Sequence, residues 1–378
     1  MLSVDCLVLL ICMLPLSNAG ATSSTYIPTL FSETGKNHIT KLSDIAVQNV
    51  GFFHVFRKPP WGGGNQFLLA LAGELRRRGV VVTDNEIRKD TRLYMANAIT
   101  FKTEPFRKAY RERQGKLKLV HRLDGPYYAA RYGIDPRLKS QEPYRSREDD
   151  RVYEINEEFA CASIFQSRWS LEMNRLLGYK PKEPVVIINN AVDHEIFHNR
   201  SRIKWDPSGN RKIKIISSSW SDGERKGFNT FKWLDEHLDF DRFEYTFIGN
   251  LPENFTLTNI QHLLPVGSEE LAPILRDHDI YIAASYLEPC SNALLEALAS
   301  GLPTLYQDGS GHNELVKHGG YKYQQPTDIP RILERLIKDY EQVQDRITYM
   351  TISEAADKYL AVYRRCLHQD SIIKSQVG

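Results

Sequence analysis

The chain has 378 residues, 42% hydrophobic and 25% charged, with a formal net charge of +2. That composition excludes a disordered, fibrous or collagen-like chain, and the near-neutral balance argues against a nucleic-acid partner. The charge is unevenly spread: Arg57 to Arg151 holds 22 Lys or Arg against 12 Asp or Glu, a net of +10, so the rest of the chain sums to −8. A basic first half suits an anionic partner such as a phosphate, an acidic sugar or a lipid headgroup at a membrane surface. The plainer reading is a solvated surface of mixed charge.

Cys6, Cys12, Cys161, Cys290 and Cys366 are too scattered for a zinc site or a disulfide framework. The length suggests two domains. The apolar run Cys6 to Leu16 is too short to span a bilayer as a helix, and Ser17-Asn18-Ala19 follows it as a small-x-small pattern. Residues 1–21 therefore read as a signal peptide, implying the ER/Golgi lumen or secretion. The n-region lacks Lys and Arg and carries Asp5, which leaves a cytoplasmic protein as the alternative. Asn199-Arg-Ser and Asn254-Phe-Thr are glycosylation triplets of a kind that often arises by chance.

From about Thr22 to Ser43 the chain is polar and turn-rich. Asn49 to Phe56 reads as a buried strand that ends in Pro59-Pro60-Trp61-Gly62-Gly63-Gly64. Phe67, Leu68, Leu71 and Leu75 then recur at helical spacing up to Gly79, and Val80-Val-Val opens another strand. Strand, glycine loop, helix and strand make one βαβ unit and predict a parallel sheet with helices on both faces. The pattern continues with a strand at Leu117–His121, a loop Arg122-Leu-Asp-Gly-Pro126 and a helix over Glu154–Ala162. A strand at Ser163–Gln166, a helix over Ser167–Leu177 and a strand at Pro184–Ile188 complete it. Beyond the turn-rich Pro207–Asn210 a second α/β set begins. Strands are expected at Lys212–Ser217, Tyr245–Gly249 and Asp279–Ala284. Helices are expected over Asn229–Leu238, Glu269–Arg276, Asn292–Ala299, Ile329–Leu336 and Ile352–Leu367. The fold class that follows is α/β, two doubly wound Rossmann-like domains facing across a cleft. Residues 22–188 form the first, residues 189–350 the second, and residues 351–378 form a C-terminal helix that packs back on the first. Ligands bind at the carboxyl edges of such sheets.

The densest stretch runs from Ser285 to Thr304. A strand ends, a loop carries Glu288, and a helix opens near Ser291-Asn292 and carries Glu296 in its first or second turn. Unpaired N–H groups at a helix start suit a diphosphate, and the two carboxylates suit sugar hydroxyls and a ribose. The bland alternative makes Ser291 an N-cap and Glu296 a first-turn carboxylate.

Glu288-Pro-Cys-Ser-Asn-Ala-Leu-Leu-Glu296 resembles the E-x(7)-E signature of family 4 retaining glycosyltransferases with the GT-B fold, and Ala297 to Pro303 continues it. Gly311-His-Asn-Glu-Leu-Val316, Ser221 to Gly227, Asn189 to Phe197 and the glycines at 62–64 resemble further segments of that family, in the same order. The resemblance implies transfer of a hexose from a nucleotide-diphosphate sugar to an acceptor, with retention and without a metal or other cofactor. It implies that Glu288 contacts the transferred sugar, that Glu296 holds the ribose, and that Lys226 with Arg225 neutralises the diphosphate. It implies that backbone N–H groups of Ser291 and Asn292 bind the same phosphates, and that Gly63 and Gly64 let the first domain approach the donor. It assigns His121 a place beside the donor sugar, against the alternative of a hydrogen-bonded structural histidine. Trp220 stands where the family commonly carries an Arg. Asp277-His-Asp279 spells a metal motif of another glycosyltransferase fold, but here reads as cap and turn residues. A non-catalytic nucleotide-sugar or carbohydrate-binding protein on the same fold is the alternative function.

Overall fold

The computed structural model of the protein describes residues 45–376 except 59, 99, 128–141, 203, 204 and 206–210. The expected signal peptide, the polar arm to Ser43 and the turn-rich Pro207–Asn210 lie outside the described residues.

Short apolar runs alternating with helices close into two parallel sheets. The first half contains β1 (Asn49–Phe53), α1 (Gly63–Arg77), β2 (Val81–Asp84), β3 (Leu93–Asn97), α2 (Thr103–Glu112), β4 (Lys118–Leu123), α3 (Glu142–Phe159), β5 (Ala160–Phe165), α4 (Arg168–Leu176) and β6 (Val185–Ile187). Its strand order is β2-β1-β3-β4-β5-β6. The second half opens with β7 (Ile213–Ser219), a 3₁₀ turn (Glu224–Lys226), α5 (Phe228–His237), β8 (Phe243–Gly249), β9 (Gln261–Leu263) and α6 (Ser268–Arg276). It continues through β10 (Ile280–Ala283), α7 (Asn292–Ala299), β11 (Thr304–Gln307), α8 (His312–Val316), β12 (Gly320–Tyr323), α9 (Ile329–Lys338) and α10 (Tyr340–Asp345). Its strand order is β12-β11-β10-β7-β8-β9. The expected pair of doubly wound α/β domains is the architecture found.

Several elements differ from expectation. β3 and α2 lie in a stretch where no element was expected. β3 is buried at all five positions, so its Leu-Tyr-Met-Ala-Asn sequence has no alternation to betray it. β5 starts at Ala160, three residues before the expected Ser163, and α3 stops at Phe159. The Ala-Cys-Ala triplet between them favours neither state. α1 begins at Gly63 itself, so the glycines form its first turn rather than a loop before it.

α11 (Ile352–Gln376) leaves the second half and lies on the first sheet. Ile352, Ala355, Ala356, Tyr359 and Tyr363 are buried in one core with Val50, Phe52, Leu68, Leu71 and Val120. The Tyr363 hydroxyl reaches Met95 Sδ at 3.3 Å. Where the chain returns, the Ile352 N–H donates to Val192 O at 3.0 Å, so the two crossings between the halves lie side by side. Arg78 donates to Asp357, to Ser353 O at 2.8 Å and to Glu74 at 2.7 Å. Arg76 donates to Val82 O at 3.1 Å and Arg77 pairs with Glu74 at 2.9 Å. Arg76 and Arg78 therefore tie α1 to its neighbours, while Arg77 pairs within the helix.

Truncating Tyr363 to Ala removes a fully buried ring and should cost about 3–5 kcal/mol of stability in urea denaturation. Amide exchange should accelerate in β1 and β4 before β7 and β10; equal acceleration in both sheets would contradict this placement of α11.

Candidate active site

In the second sheet the chain winds outward from β7 through β8 and β9, then returns to place β10 on the other flank of β7. The loops leaving β7 and β10 therefore diverge and leave a crevice at the carboxyl edge. The first sheet has the same reversal between β1 and β3. The two crevices face each other across a cavity of about 430 Å³, lined by Pro60 to Gly64 and Asp124 from one side and by Ser218 to Ser221, Arg225, Lys226 and Ser285 to Ala293 from the other.

Lys226 and Glu288 come from the two diverging loops and meet. Lys226 Nζ donates to Glu288 Oε2 at 2.6 Å, with the two side chains 28% and 20% exposed. Burial pushes the Glu288 carboxyl up, but the Lys226 ammonium outweighs it, aided by His312 and Arg225, and holds it below the usual range. Glu288 is thus an anion across the neutral range. The local backbone makes the meeting possible. Gly227 has φ +79, and a Cβ there would lie 2.1 Å from Ala284 O. Only glycine lets the 3₁₀ turn carrying Arg225 and Lys226 press against the end of β10. Tyr286 N–H, donating to Arg225 O at 3.0 Å, fastens the two loops together.

α7 points its N-terminus into the same cavity. Ser291 is its N-cap, and its hydroxyl accepts from Leu294 N at 3.3 Å. Asn292 Oδ1 accepts from Asn190 Nδ2 at 2.8 Å, and its own Nδ2 donates to Gly63 O. Gly63 touches the opposite domain: a Cβ there would meet the Asn292 side chain at 3.0 Å, whereas the space beside Gly64 is open. Gly63, Gly64, Ser291 and Asn292 all line the cavity with Glu288, Lys226 and Arg225. Glu296 lies in the second turn of α7, not the first, and is only 9% exposed. Burial alone pushes its carboxyl up to about 8. It also borders a second cavity of about 560 Å³ between α1, residues 191–197 and the start of α6.

His121 is the exception among the expected site residues. β4 runs two residues past it to Leu123, so its ring sits inside the sheet and outside the cavity. Nε2 donates to Ala98 O at 2.9 Å and Nδ1 accepts from Asn156 Nδ2 at 3.3 Å. Burial lowers its pKa to about 4, so it is a neutral, structurally engaged histidine. The residue that does reach the cleft from the end of β4 is Asp124, which accepts from the Tyr127 hydroxyl. The sequence signal for it was Gly125-Pro126, which ends the strand.

Two further contacts join the halves. Trp61 and Trp220 meet across the cavity mouth with ring centroids 4.7 Å apart, and the Arg57 guanidinium lies 4.1 Å over Trp61. Glu314, on α8, accepts the N–H groups of Arg168 and Trp169 at 2.8 and 2.7 Å, covering the N-terminus of α4. Gly311 at the head of α8 donates to Glu288 O at 2.9 Å. The Asp277-His-Asp279 carboxylates are taken by cations: Asp279 receives Arg211 at 2.6 and 2.8 Å, and Asp277 receives Lys214 at 2.7 Å.

Between its ordinary value near 4.5 and about 8, the Glu296 carboxyl holds a proton in the folded chain that the unfolded chain releases. Stability must therefore fall as pH rises through that window. Relative to Glu296→Gln, the unaltered chain should lose about 1 kcal/mol per pH unit between about pH 5 and 8. Urea denaturation curves for the two proteins that stay parallel across this range would contradict the buried, protonated carboxyl.

Residues 244–353 match the family model described as glycosyl transferases group 1. A GDP-mannose-dependent alpha-mannosyltransferase of Corynebacterium glutamicum is 29% identical over 141 residues, covering 34% of this chain. The match spans about a third of that relative, 32% of its length. Sucrose-phosphate synthase from Thermosynechococcus elongatus superposes with a TM-score of 0.60 at 13% identity, over 87% of this chain and 99% of that one. The catalytic domain of starch synthase IV from Arabidopsis thaliana, bound to ADP and acarbose, gives 0.61 at 12% over 85% and 100%. Anabaena Alr3699/HepE with UDP and glucose gives 0.55 at 15% over 87% and 100%. The chain has the two-domain fold of GT-B glycosyltransferases, and its residues 244–353 match the glycosyl transferases group 1 model.

Proposed function

We propose that this protein moves a hexose from a nucleotide-diphosphate sugar to an acceptor with retention of configuration, without a metal. The observation that carries the reading is the Lys226–Glu288 pair at the switch point beside the N-terminus of α7. When the glycosidic bond breaks, negative charge develops on the departing diphosphate. Fixed cations and N–H dipoles lower that barrier because they need no reorganisation. On this reading a bound donor divides the pair. The diphosphate takes Lys226, Arg225 and the N–H groups of Ser291 and Asn292, and the sugar hydroxyls take the Glu288 carboxylate. Glu296, protonated near neutrality, both donates to and accepts from ribose hydroxyls. Gly63 and Gly64 admit the donor close to the first domain, and closure of the halves excludes water. The basic first half keeps an anionic or membrane-surface acceptor as part of the proposal. Among the described residues no helix is long and apolar enough to cross a membrane.

Trp220, packed on Trp61 at the cavity mouth rather than offering a cation, supports a second reading, a non-catalytic nucleotide-sugar or carbohydrate-binding protein. A donor panel separates the two. GDP-mannose and UDP-glucose head it, since one relative is named for the first and a superposable structure contains UDP and glucose.

The unaltered chain should transfer or hydrolyse at least one donor of the panel. Glu288→Gln should lower that rate by about 10²- to 10³-fold, with the melting temperature little changed. Donor binding with no turnover by the unaltered chain would establish the second reading, and undiminished turnover by Glu288→Gln would remove the first. Lys226→Met should weaken nucleoside diphosphate binding in calorimetry, whereas Lys226→Arg should retain most of it.

A further inference from the structure

Arg122 is the largest fully buried side chain among the described residues, and none of those residues offers it a carboxylate partner. Its Nη1 donates to Asn97 Oδ1 and its Nη2 to Asn190 Oδ1 at 2.5 Å. Its guanidinium carbon lies 4.9 Å from the centre of the Phe67 ring, and its Nε has no hydrogen-bond partner. A guanidinium is charged at every accessible pH, so it cannot escape burial by losing a proton. Buried charges are ordinarily paired, and one without a bonded counter-ion weakens the empty fold. Among the described residues, Glu288 pairs with Lys226, Asp124 accepts from the Tyr127 hydroxyl and Glu314 from two backbone N–H groups, and none of the three is bonded to the guanidinium.

One hydrogen-bonded path leads from the guanidinium to the cavity. Asn190 Oδ1 accepts from Arg122, Asn190 Nδ2 donates to Asn292 Oδ1, and Asn292 Nδ2 donates to Gly63 O. Every amide in the chain is turned the same way, with its donor end away from the cation, so each bond polarises the next. Asn190 and Asn292 both line the cavity, and Asn292 is the first residue of α7. The guanidinium therefore stands one hydrogen bond behind the cavity wall, on the side where the N-terminus of α7 faces the ligand.

We infer that Arg122 is a positioning and electrostatic residue for an anionic ligand: its charge, to which no carboxylate of the described residues is bonded, is relayed through Asn190 and Asn292 and supplies positive potential for a nucleoside diphosphate. The inference rests on the proposed function for the identity of that anion. It makes the first domain a contributor to diphosphate binding, where the motif residues lie almost wholly in the second. In a site of intermediate effective dielectric, a unit charge at this remove changes anion affinity about ten- to a hundredfold.

The test is calorimetric titration of the full chain with UDP, GDP and ADP and with the matching uncharged nucleosides. Arg122→Gln removes the charge but keeps a donor. It should bind the preferred diphosphate about ten- to a hundredfold more weakly and the nucleoside as the unaltered chain does. Arg122→Lys should recover most of the difference. Because a buried unpaired charge is removed, the ligand-free melting temperature of Arg122→Gln should stay level or rise. Equal proportional losses for nucleoside and diphosphate, or a lowered ligand-free melting temperature with diphosphate affinity intact, would make Arg122 merely structural. If Arg122→Gln does not fold, the same conclusion holds. Failure of the unaltered chain to bind any diphosphate would overturn the proposed function as well; tight diphosphate binding by Arg122→Gln would overturn only this inference.

Discussion

The constraint on which the rest of this structure depends is the reversal of strand order at β7 and β10. Parallel strands need long crossovers, and a sheet that winds out in both directions from its centre leaves two adjacent loops with nothing between them. Those loops carry Lys226 and Glu288, and their ion pair of 2.6 Å spans the gap the topology leaves. Gly227 is a consequence of the same constraint, because the turn bearing Lys226 must lie against the carbonyl of Ala284. The N-terminus of α7 is another, since a helix returning from β10 must start at that edge.

A single crevice would leave such a pair open to water. The second sheet alone supplies most of the charged groups, and the first supplies the lid. Contacts between the described residues of the two faces include Asn292 with Gly63, Trp220 with Trp61, and Glu314 with the first turn of α4. Each is small or solvent-facing beside the core that seats α11 on the first sheet. The chain crosses between the halves at residues 188–192 and again at 350–352, and these adjacent crossings are bonded through Val192 and Ile352. The two short crossings lie side by side, and the Asn292 contact with Gly63 is bonded to one of them through Asn190, an arrangement compatible with hinge motion of the halves. Because Gly311 holds the Glu288 carbonyl and Glu314 lies on the same short helix, the contact with α4 is mechanically tied to the loop that carries Glu288.

Much of this was legible in the sequence for physical reasons. Runs such as Lys212–Ser217 and Tyr245–Gly249 are rich in the residues that fill a sheet buried on both faces. Ser291 announced a helix start, and Glu288 and Glu296 stood at a spacing that fits loop and second turn. What remained hidden was registration within fully buried segments. In β4 no alternation marks where burial ends, so His121 reads as the strand end although the strand runs two residues further, to Leu123, with Asp124 following it. β3 went unseen for the same reason. The contacts between the halves were hidden because they join residues more than a hundred positions apart, as Glu314 does with Arg168.

Trp220 shows how far sequence position alone can carry a reading of charge. Judged along the chain, it stands where a cation is expected, and the site looks one charge short. Judged in space, its indole lines the cavity and lies against Trp61, whose other neighbour is the Arg57 guanidinium. A tilted aromatic pair capped by a cation is a low-entropy contact between two rigid surfaces, since each ring has only two side-chain torsions to fix. A ring at this position supplies adhesion between the two halves where a flexible cation would supply charge. The electrostatic demand of the cavity then falls on groups fixed by the fold itself: Lys226 in its 3₁₀ turn, the start of α7, and the buried end of β4.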